Sequence, residues 1–500
     1  MTPRTRGALP ALLVTTALAL TACGSPSSDA KPAAAAPSAA GRTAPDATPA
    51  AGGSSDTAVS GTAATPGPAP SLPKSPRTPK TDSLPVSVVP AGKPAKLALV
   101  TPAAARPGKS APEASTPGLT LSSYDRQTGA AVLAPAEGAP AAGQGSAAGV
   151  RVGQLIDSPP TPAAPRGALV AVTEVKRTEG GKTAVATRPA TLAELLGDSS
   201  AGLQTALDPR SITVEPQVKD LKVSFTRRAD GGNGSVSTGL KLDANTKVPL
   251  PHGASVDLSG SVEIDPSIDF SYDGHALSPR QASVGFDVAA RADWRVAAGI
   301  AGSAEPVRIP LAKLHATPTV MAGPVPIVVG LDLSLHATIA ADGKVTVEAE
   351  QQLAADWGIR SDYAKGKGWT TKTEPGTTNI SPVRARFDGS ASVRTGLDLE
   401  GSVALYDAVG VKASIKPYLR AAVDGSVTVE SGGGAPVVNG KAGLYGGLDI
   451  DGALMARIAI LGTPLFEKEI PFAAFRREWP VVTRSTGSTA PSPAAGAAKR

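Results

Sequence analysis

The sequence predicts a mainly β protein, either an elongated antiparallel β-sandwich or a single curled sheet, with very long strands. Two observations support this prediction. Apolar and polar side chains alternate over unusually long segments, and short Gly- and Asp-containing stretches separate those segments. One short helix and a long disordered N-terminal region complete the predicted architecture.

The longest uninterrupted alternation lies in 284–300. A period of two held over that length predicts one extended strand, because a helix would expose half of these apolar groups. Charged side chains occupy several odd positions, including Asp287, Arg291 and Asp293. The apolar even positions are Val284, Phe286, Val288, Ala290, Ala292, Trp294, Val296, Ala298 and Ile300.

A second alternation covers 325–359, where odd positions are apolar on both sides of the tripeptide Ala341-Asp342-Gly343. We expect a hairpin there, with these three residues as its loop. This register sets Ile339 against Val345, and it places Gly343 at the left-handed loop position that glycine tolerates best.

Similar alternation at 254–272 and 383–405 brings the expected number of long strands to about ten. Each strand has one apolar face, and a face of that length must be covered. A second sheet, or the same sheet curled over, therefore lies against it.

The segment 118–197 predicts shorter hairpins. Asp125–Gly129 and Glu179–Lys182 are turn-like, and Thr191 stands three residues before Glu194, which is a capping box for a helix at 192–196. The spacing of a Gly-rich strand, a hairpin and "TLAELLG" resembles uncharacterised secreted β-rich proteins of bacteria. That resemblance implies no activity.

The N-terminus predicts export. Arg4 and Arg6 precede an apolar run to Leu20, which is too short to span a bilayer as a helix. The run ends in Leu20-Thr21-Ala22-Cys23, with the only cysteine of the 500 residues. This tetrapeptide resembles the lipobox of bacterial lipoproteins. The resemblance implies cleavage before Cys23, signal peptidase recognition of Leu20, Thr21 and Ala22, and diacylglycerylation of the Cys23 thiol, with palmitate among the acyl chains. The alternative is a secretory signal in which Cys23 is incidental.

Composition divides the rest of the chain. Residues 24–117 are rich in Ala, Pro, Ser, Thr and Gly and lack large apolar clusters, so they predict a disordered tether or an inert insert. The Ala and Pro content resembles that of high-GC actinobacteria. The predicted regions are a signal peptide (1–22), the tether from the acylated cysteine (23–117), a hairpin region with the short helix (118–200), a long-stranded β domain (201–484) and a disordered tail (485–500).

No residue pattern predicts a cofactor, metal or catalytic site. The four histidines, His252, His275, His315 and His336, have no His or Cys at metal-ligand spacing. Asp-rich 265–274 matches no calcium motif, and we assign its acidic residues to turns. The net charge of +6 is interspersed along the chain and marks no nucleic-acid surface, while 3 % aromatic residues disfavour a carbohydrate platform.

We therefore expect a non-enzymatic lipoprotein on the outer face of the cytoplasmic membrane, with an extracellular β-rich region that contacts cell-wall polymer, a surface protein or lipid. One alternative is a carrier that holds lipid or another apolar ligand in a groove of the curled sheet. A second alternative is a surface hydrolase that acts through a pair of carboxylates.

Overall fold

A computed structural model describes residues 83–90, 92–106, 111–137, 149–229, 236–249, 255–275, 278–430, 436–456 and 468–485. All of them belong to the unit Ala63–Arg500. The helical elements include the helix α1 (Leu192–Leu196) and two 3-10 turns (Ala103–Ala105 and Pro209–Ser211). The strands are β1 (Val86–Val88), β2 (Ala98–Val100), β3 (Ala114–Ser115), β4 (Leu119–Tyr124), β5 (Ala130–Pro135), β6 (Leu155–Ser158), β7 (Ala168–Glu179), β8 (Lys182–Pro189), β9 (Ser200–Ala206), β10 (Thr213–Pro216), β11 (Lys222–Ala229), β12 (Val236–Pro249), β13 (Ser255–His275), β14 (Ser278–Ala316), β15 (Thr319–Ala322), β16 (Val325–Ala364), β17 (Gly368–Glu374), β18 (Thr378–Leu405), β19 (Val409–Glu430), β20 (Val437–Ala456), β21 (Lys468–Pro471) and β22 (Phe475–Ser485).

The predicted fold class is confirmed. The large sheet runs β11-β12-β13-β14-β16-β18-β19-β20-β21, with β22 also paired to β20, and every pairing is antiparallel. The small sheet runs β3-β2-β6-β7-β8-β5-β4. In the described ranges seven strands have fourteen or more residues, fewer than the ten expected.

The alternation at 284–300 lies within β14, and all nine apolar even positions are buried. The strand is more than twice as long as the pattern, because it continues to Ala316 through a stretch where its pairing with β16 shifts register.

The hairpin prediction at 341–343 is wrong, because β16 passes through these residues as one strand of 40 residues. It pairs with β14 along one side and β18 along the other, so its two halves never pair with each other. The left-handed backbone of Gly343 is confirmed, with φ of 112°. Apolar parity is the same on both sides of Gly343 in a folded hairpin and in a continuous strand, so the pattern could not separate them.

The long strands fold over along one line of glycines, which we call the crease: Gly343, Gly389, Gly425 and Gly440. All four have positive φ, from 96° to 144°. Gly389 pairs with Gly425, Gly425 pairs with Gly440, and Gly389 lies opposite Val345, two residues from Gly343. Glycine adopts this backbone without the steric cost of a Cβ atom, and glycine kinks bend sheets.

The crease divides the large sheet into half A, which contains 325–341 of β16, and half B, which contains 345–364. Phe286 of half B lies opposite Ile359, and Gly401 of half A lies opposite Leu333. Leu333 and Ile359 would be roughly 85 Å apart on a straight strand. A Cβ atom placed at Gly401 would nevertheless lie 2.8 Å from Cζ of Phe286. The apolar faces of the two halves therefore pack directly against each other.

A buried hydrogen bond joins the halves nearer the crease. Nε2 of Gln351 donates to Oγ1 of Thr395 at 2.8 Å, and Thr395 lies opposite Ile339 on the other side of Gly343. Both side chains are almost fully buried. One core thus contains side chains from both halves, and α1 adds Leu192, Leu195 and Leu196 to it.

The small sheet buries a second apolar cluster. Leu99 on β2, the second strand of the order, and Leu121 on β4 at the opposite end both belong to this cluster, together with Leu133 and Ile156, so the sheet curls around its own core. Its predicted turns are confirmed: Asp125–Gly129 joins β4 to β5, and Gly180-Gly181 joins β7 to β8.

The capping box of α1 is also confirmed. The Thr191 side chain accepts from the Glu194 backbone N–H at 3.0 Å, and the Glu194 carboxylate accepts from the Thr191 backbone N–H at 2.8 Å. The helix ends at Gly197, whose positive φ of 60° releases the chain toward β9.

The tether boundary at residue 117 is wrong. Residues 83–117 contain β1, β2 and β3, and β2 is completely buried in the small sheet. Ala98, Leu99 and Val100 are short apolar side chains within an Ala- and Pro-rich region, so composition concealed them. The remaining tether, the signal peptide and 486–500 of the tail lie outside the described residues.

The acidic segment 265–274 lies inside β13, so its assignment to turns is also wrong. Asp273 forms an ion pair with Arg280, and Asp269 with Arg360. These carboxylates are therefore cross-strand partners on the polar face of the sheet.

Candidate functional site

The predicted anchor residues Leu20, Thr21, Ala22 and Cys23 lie outside the described residues, so the lipid anchor stays a prediction. In the ranges that the structure describes, no helix has the length and apolar composition to cross a membrane. Within the same ranges, no group of three or more His, Cys, Asp or Glu side chains is arranged to hold a metal ion.

The junction between the small sheet and half A contains a deeply buried pair of titratable side chains, Asp157 and Tyr406. Tyr406 begins the turn from β18 to β19 and has positive φ, as does Asp407. The Tyr406 hydroxyl lies 2.8 Å from Oδ1 of Asp157 on β6 and 2.5 Å from the carbonyl oxygen of Pro326. Complete burial raises the pKa of the Asp157 carboxyl well above its ordinary value. The Tyr406 hydroxyl has one proton, so it donates either to the Asp157 carboxyl or to the Pro326 carbonyl oxygen.

Charged pairs surround this junction. Arg166 forms a bidentate ion pair with Asp332, at 2.8 and 3.0 Å, and Nδ1 of His315 lies 2.7 Å from the same carboxylate. Arg126 contacts Asp407 at 3.0 Å. The His315–Asp332 contact has the geometry of an orienting pair in a catalytic triad. Here the Asp332 carboxylate also holds Arg166 of the small sheet, which makes it a link between the two sheets.

A small acidic cavity of about 60 Å³ lies against half B, and its lining includes Asp287, Asp356 and Glu374. This is where the sequence-based alternative of a carboxylate hydrolase finds its best geometry. Asp356 already accepts the backbone N–H of Thr377 at 2.9 Å, and Gln204 lies 3.4 Å from Asp287. A volume of about 60 Å³ has room for a few water molecules, which is less space than a sugar ring needs.

Half A carries a ladder of arginine and tyrosine on its polar face. The Arg394 guanidinium lies 3.5 Å from the Tyr418 ring centroid, and Arg420 lies 4.3 Å from that of Tyr445. The Tyr418 ring covers Gly447 on the next strand, where a Cβ atom would lie 2.1 Å from Cζ of the ring. Each arginine also pairs with a carboxylate, Asp449 and Glu478 respectively. Each arginine therefore has both an aromatic ring and a carboxylate as partners, and these contacts stabilise the glycine-rich strand β20.

One edge of the large sheet has a different character. β11 pairs with β12, and Val223 and Phe225 lie opposite Leu242 and Leu240 on the apolar face. Leu242 and Leu240 are 2 % and 0 % exposed, whereas Val223 and Phe225 are 40 % and 49 % exposed. The apolar face of the sheet therefore extends one strand beyond the part that is covered. The alternation Val223-Ser224-Phe225-Thr226 is a sequence signal for a strand, but it does not distinguish an edge strand from a central one.

No family model matches the chain, and neither a curated protein nor a solved structure is found to be similar to it.

Proposed function

We propose that the chain is a lipid-anchored protein of the outer face of the cytoplasmic membrane whose β-rich region acts by contact with another molecule, without catalysis. The lipobox-like Leu20–Cys23 supports the anchor, and the uncovered apolar side chains of β11 support contact. The exposure of Val223 and Phe225 on the core face of the sheet is the observation that carries the proposal, because soluble proteins usually cover such a face.

The carrier alternative requires space between halves A and B. Phe286 occupies that space against Gly401, and Gln351 bonds to Thr395 across it. These contacts favour a packed core over a ligand groove. The hydrolase alternative depends on Asp287, Asp356 and Glu374, whose cavity is small.

The anchor is tested by expressing Cys23→Ala and fractionating the cells. We expect wild type in the membrane fraction and the variant in the soluble fraction. Equal membrane retention of both proteins would remove the anchor from the proposal.

Contact is tested by incubating the purified chain with cell-wall and surface-protein fractions and measuring what is retained. We expect the double variant Val223→Lys/Phe225→Lys to lose retention. Val152→Lys serves as the matched control, because Val152 is 63 % exposed but lies outside the large sheet. Absence of wild-type retention on every envelope fraction would overturn the proposal, and turnover of a substrate would then favour the hydrolase alternative.

A further inference from the structure

We propose that β11 binds an extended acidic segment of another protein by β-strand addition. This inference rests on the proposed function and names the chemistry of the partner. In strand addition, backbone hydrogen bonds give affinity and alternate side chains give specificity.

The first argument is the backbone. β11 pairs along its whole length, Lys222 to Ala229, with β12, and no described strand pairs with its other side. Every second N–H and C=O of β11 therefore faces outward at the edge of the sheet. An edge of eight residues is long enough to pair with a short peptide.

The second argument is the contrast with the opposite edge. β21 ends in Pro471, β22 contains Pro480, and the β20–β22 pairing shifts register between Leu444 and Tyr445. Proline lacks an N–H, and irregular pairing twists an edge, so both features block the addition of a further strand. The sequence of β11, KVSFTRRA, contains no proline.

The third argument is side-chain chemistry. Val223 and Phe225 offer two apolar contacts at alternate positions, and both are exposed. Lys222 and Arg227 are exposed on either side of them, and Lys219 adds a further positive charge. A partner strand that fits carries two apolar residues at alternate positions, with Asp or Glu before and after them.

Charge also argues against a second copy of this chain. Antiparallel pairing of two β11 strands about Phe225 would set Lys222 opposite Arg228 and Val223 opposite Arg227. Like charges directly opposite each other destabilise a strand pair. The occupant we propose is therefore a different, acidic strand.

The test uses the full chain and a fluorescent ten-residue peptide with two alternate valines flanked by glutamates. We expect saturable binding by fluorescence anisotropy, at least tenfold weaker for a peptide of the same composition with adjacent valines and all glutamates at one end. Hydrogen exchange of the amides in 222–229 should slow at least tenfold when the peptide binds. Equal binding of both peptides, or unchanged exchange in β11, would overturn the proposal.

Variants sharpen the test. Lys222→Glu/Arg227→Glu should weaken binding of the acidic peptide at least tenfold and create binding of a lysine-flanked version. Phe225→Lys should weaken binding of the acidic peptide to the wild-type charge pattern and of the lysine-flanked peptide to the charge-reversed variant. Val152→Lys should leave both of these affinities unchanged. Unchanged binding by Lys222→Glu/Arg227→Glu would contradict the charge argument. Dimers of wild type in sedimentation that Phe225→Lys abolishes would assign β11 to self-association and overturn the acidic partner.

Failure of this inference is distinguishable from failure of the proposed function. If Val223→Lys/Phe225→Lys abolishes retention on envelope fractions while the acidic peptide does not bind, contact stands and strand addition is wrong. If wild type is not retained on any envelope fraction, the proposed function itself fails.

Discussion

The large and small sheets both bury an apolar face, but they close over it in different ways. The small sheet has strands of 2–12 residues and curls around its own cluster, with the chain reversed at turns such as Asp125–Gly129 and Gly180-Gly181. The large sheet has strands of up to 40 residues and folds over at the crease, inside the strands.

The comparison teaches that strand length determines where glycine is needed. A short strand ends before its twist carries it away from the core, so left-handed residues belong in the turns. A long strand must bend to bring its apolar side chains together, so left-handed residues lie mid-strand and in register with those of neighbouring strands. The same residue type thus reverses the chain in one sheet and redirects it in the other.

The largest expected effect tests the packing of half A on half B. Phe286→Ala removes a ring that is 1 % exposed and leaves a cavity against Gly401, so we expect a loss of about 3–5 kcal/mol in the free energy of unfolding. Urea denaturation measures it. Phe225→Ala is the matched control, because its ring is 49 % exposed, and its cost should stay below about 1 kcal/mol. Equal costs would contradict face-to-face packing.

The next effect tests the crease itself. Gly425 has φ of 121°, and a Cβ atom would lie 2.1 Å from the carbonyl oxygen of Asn439. We expect Gly425→Ala to lower the free energy of unfolding by about 2–3 kcal/mol, from backbone strain and this clash. Gly299→Ala, where a Cβ atom meets no atom within 4 Å, should cost less than about 1 kcal/mol. Thermal unfolding of both variants decides whether left-handed backbone is required mid-strand.

A smaller effect tests how the two sheets are joined. Tyr406→Phe removes the hydroxyl between Asp157 and the Pro326 carbonyl, so two buried polar groups lose their partner. We expect a cost of about 1–3 kcal/mol in denaturant unfolding. Faster proteolysis at the turn from β18 to β19 should accompany it, whereas uniform destabilisation without local cleavage would contradict a specific role at the junction.

The last prediction concerns a dependence on pH. Burial raises the folded-state pKa of Asp157 above its unfolded value, so its contribution to stability is complete below about pH 4 and declines as pH rises toward the folded pKa. The limiting slope is about 1.4 kcal/mol per pH unit. Asp157→Asn should remove this decline and leave the variant more stable than wild type at pH 8, by urea midpoints from pH 4 to 8. Asp293→Asn, on an exposed position of β14, should leave the slope unchanged.

Local patterns predicted much of this fold. The period of two in 284–300 and the Thr191–Glu194 box depend on neighbours in sequence, and both are confirmed. Whether Gly343 lies in a hairpin loop or within a continuous strand depends on whether β14 and β18 flank β16 along its full length. The sequence of a single segment does not contain that information. For the same reason a hairpin and a bent strand gave one pattern.

The sequence alone predicted less of the candidate site, which consists of the exposed edge strand β11 and the buried Asp157–Tyr406 pair. Val223 and Phe225 alternate like core residues, and only the position of β11 at the end of the strand order leaves them exposed. Asp157 looked like one acidic residue among many until the fold enclosed it beside Tyr406, 249 residues away. The exposure of Val223 and Phe225 and the raised pKa of Asp157 both arise only when the sheets assemble.

The order of the long strands has a consequence for biogenesis. From β11 to β20 each long strand pairs with the long strand before it in the chain, as in a meander. A chain that folds from its N-terminus can therefore add strands one after another to a growing sheet, without waiting for a distant segment. In this order β11 forms first and its outer edge stays unpaired in the described sheet. The proline-containing strands β21 and β22 form last and end the sheet at the opposite edge.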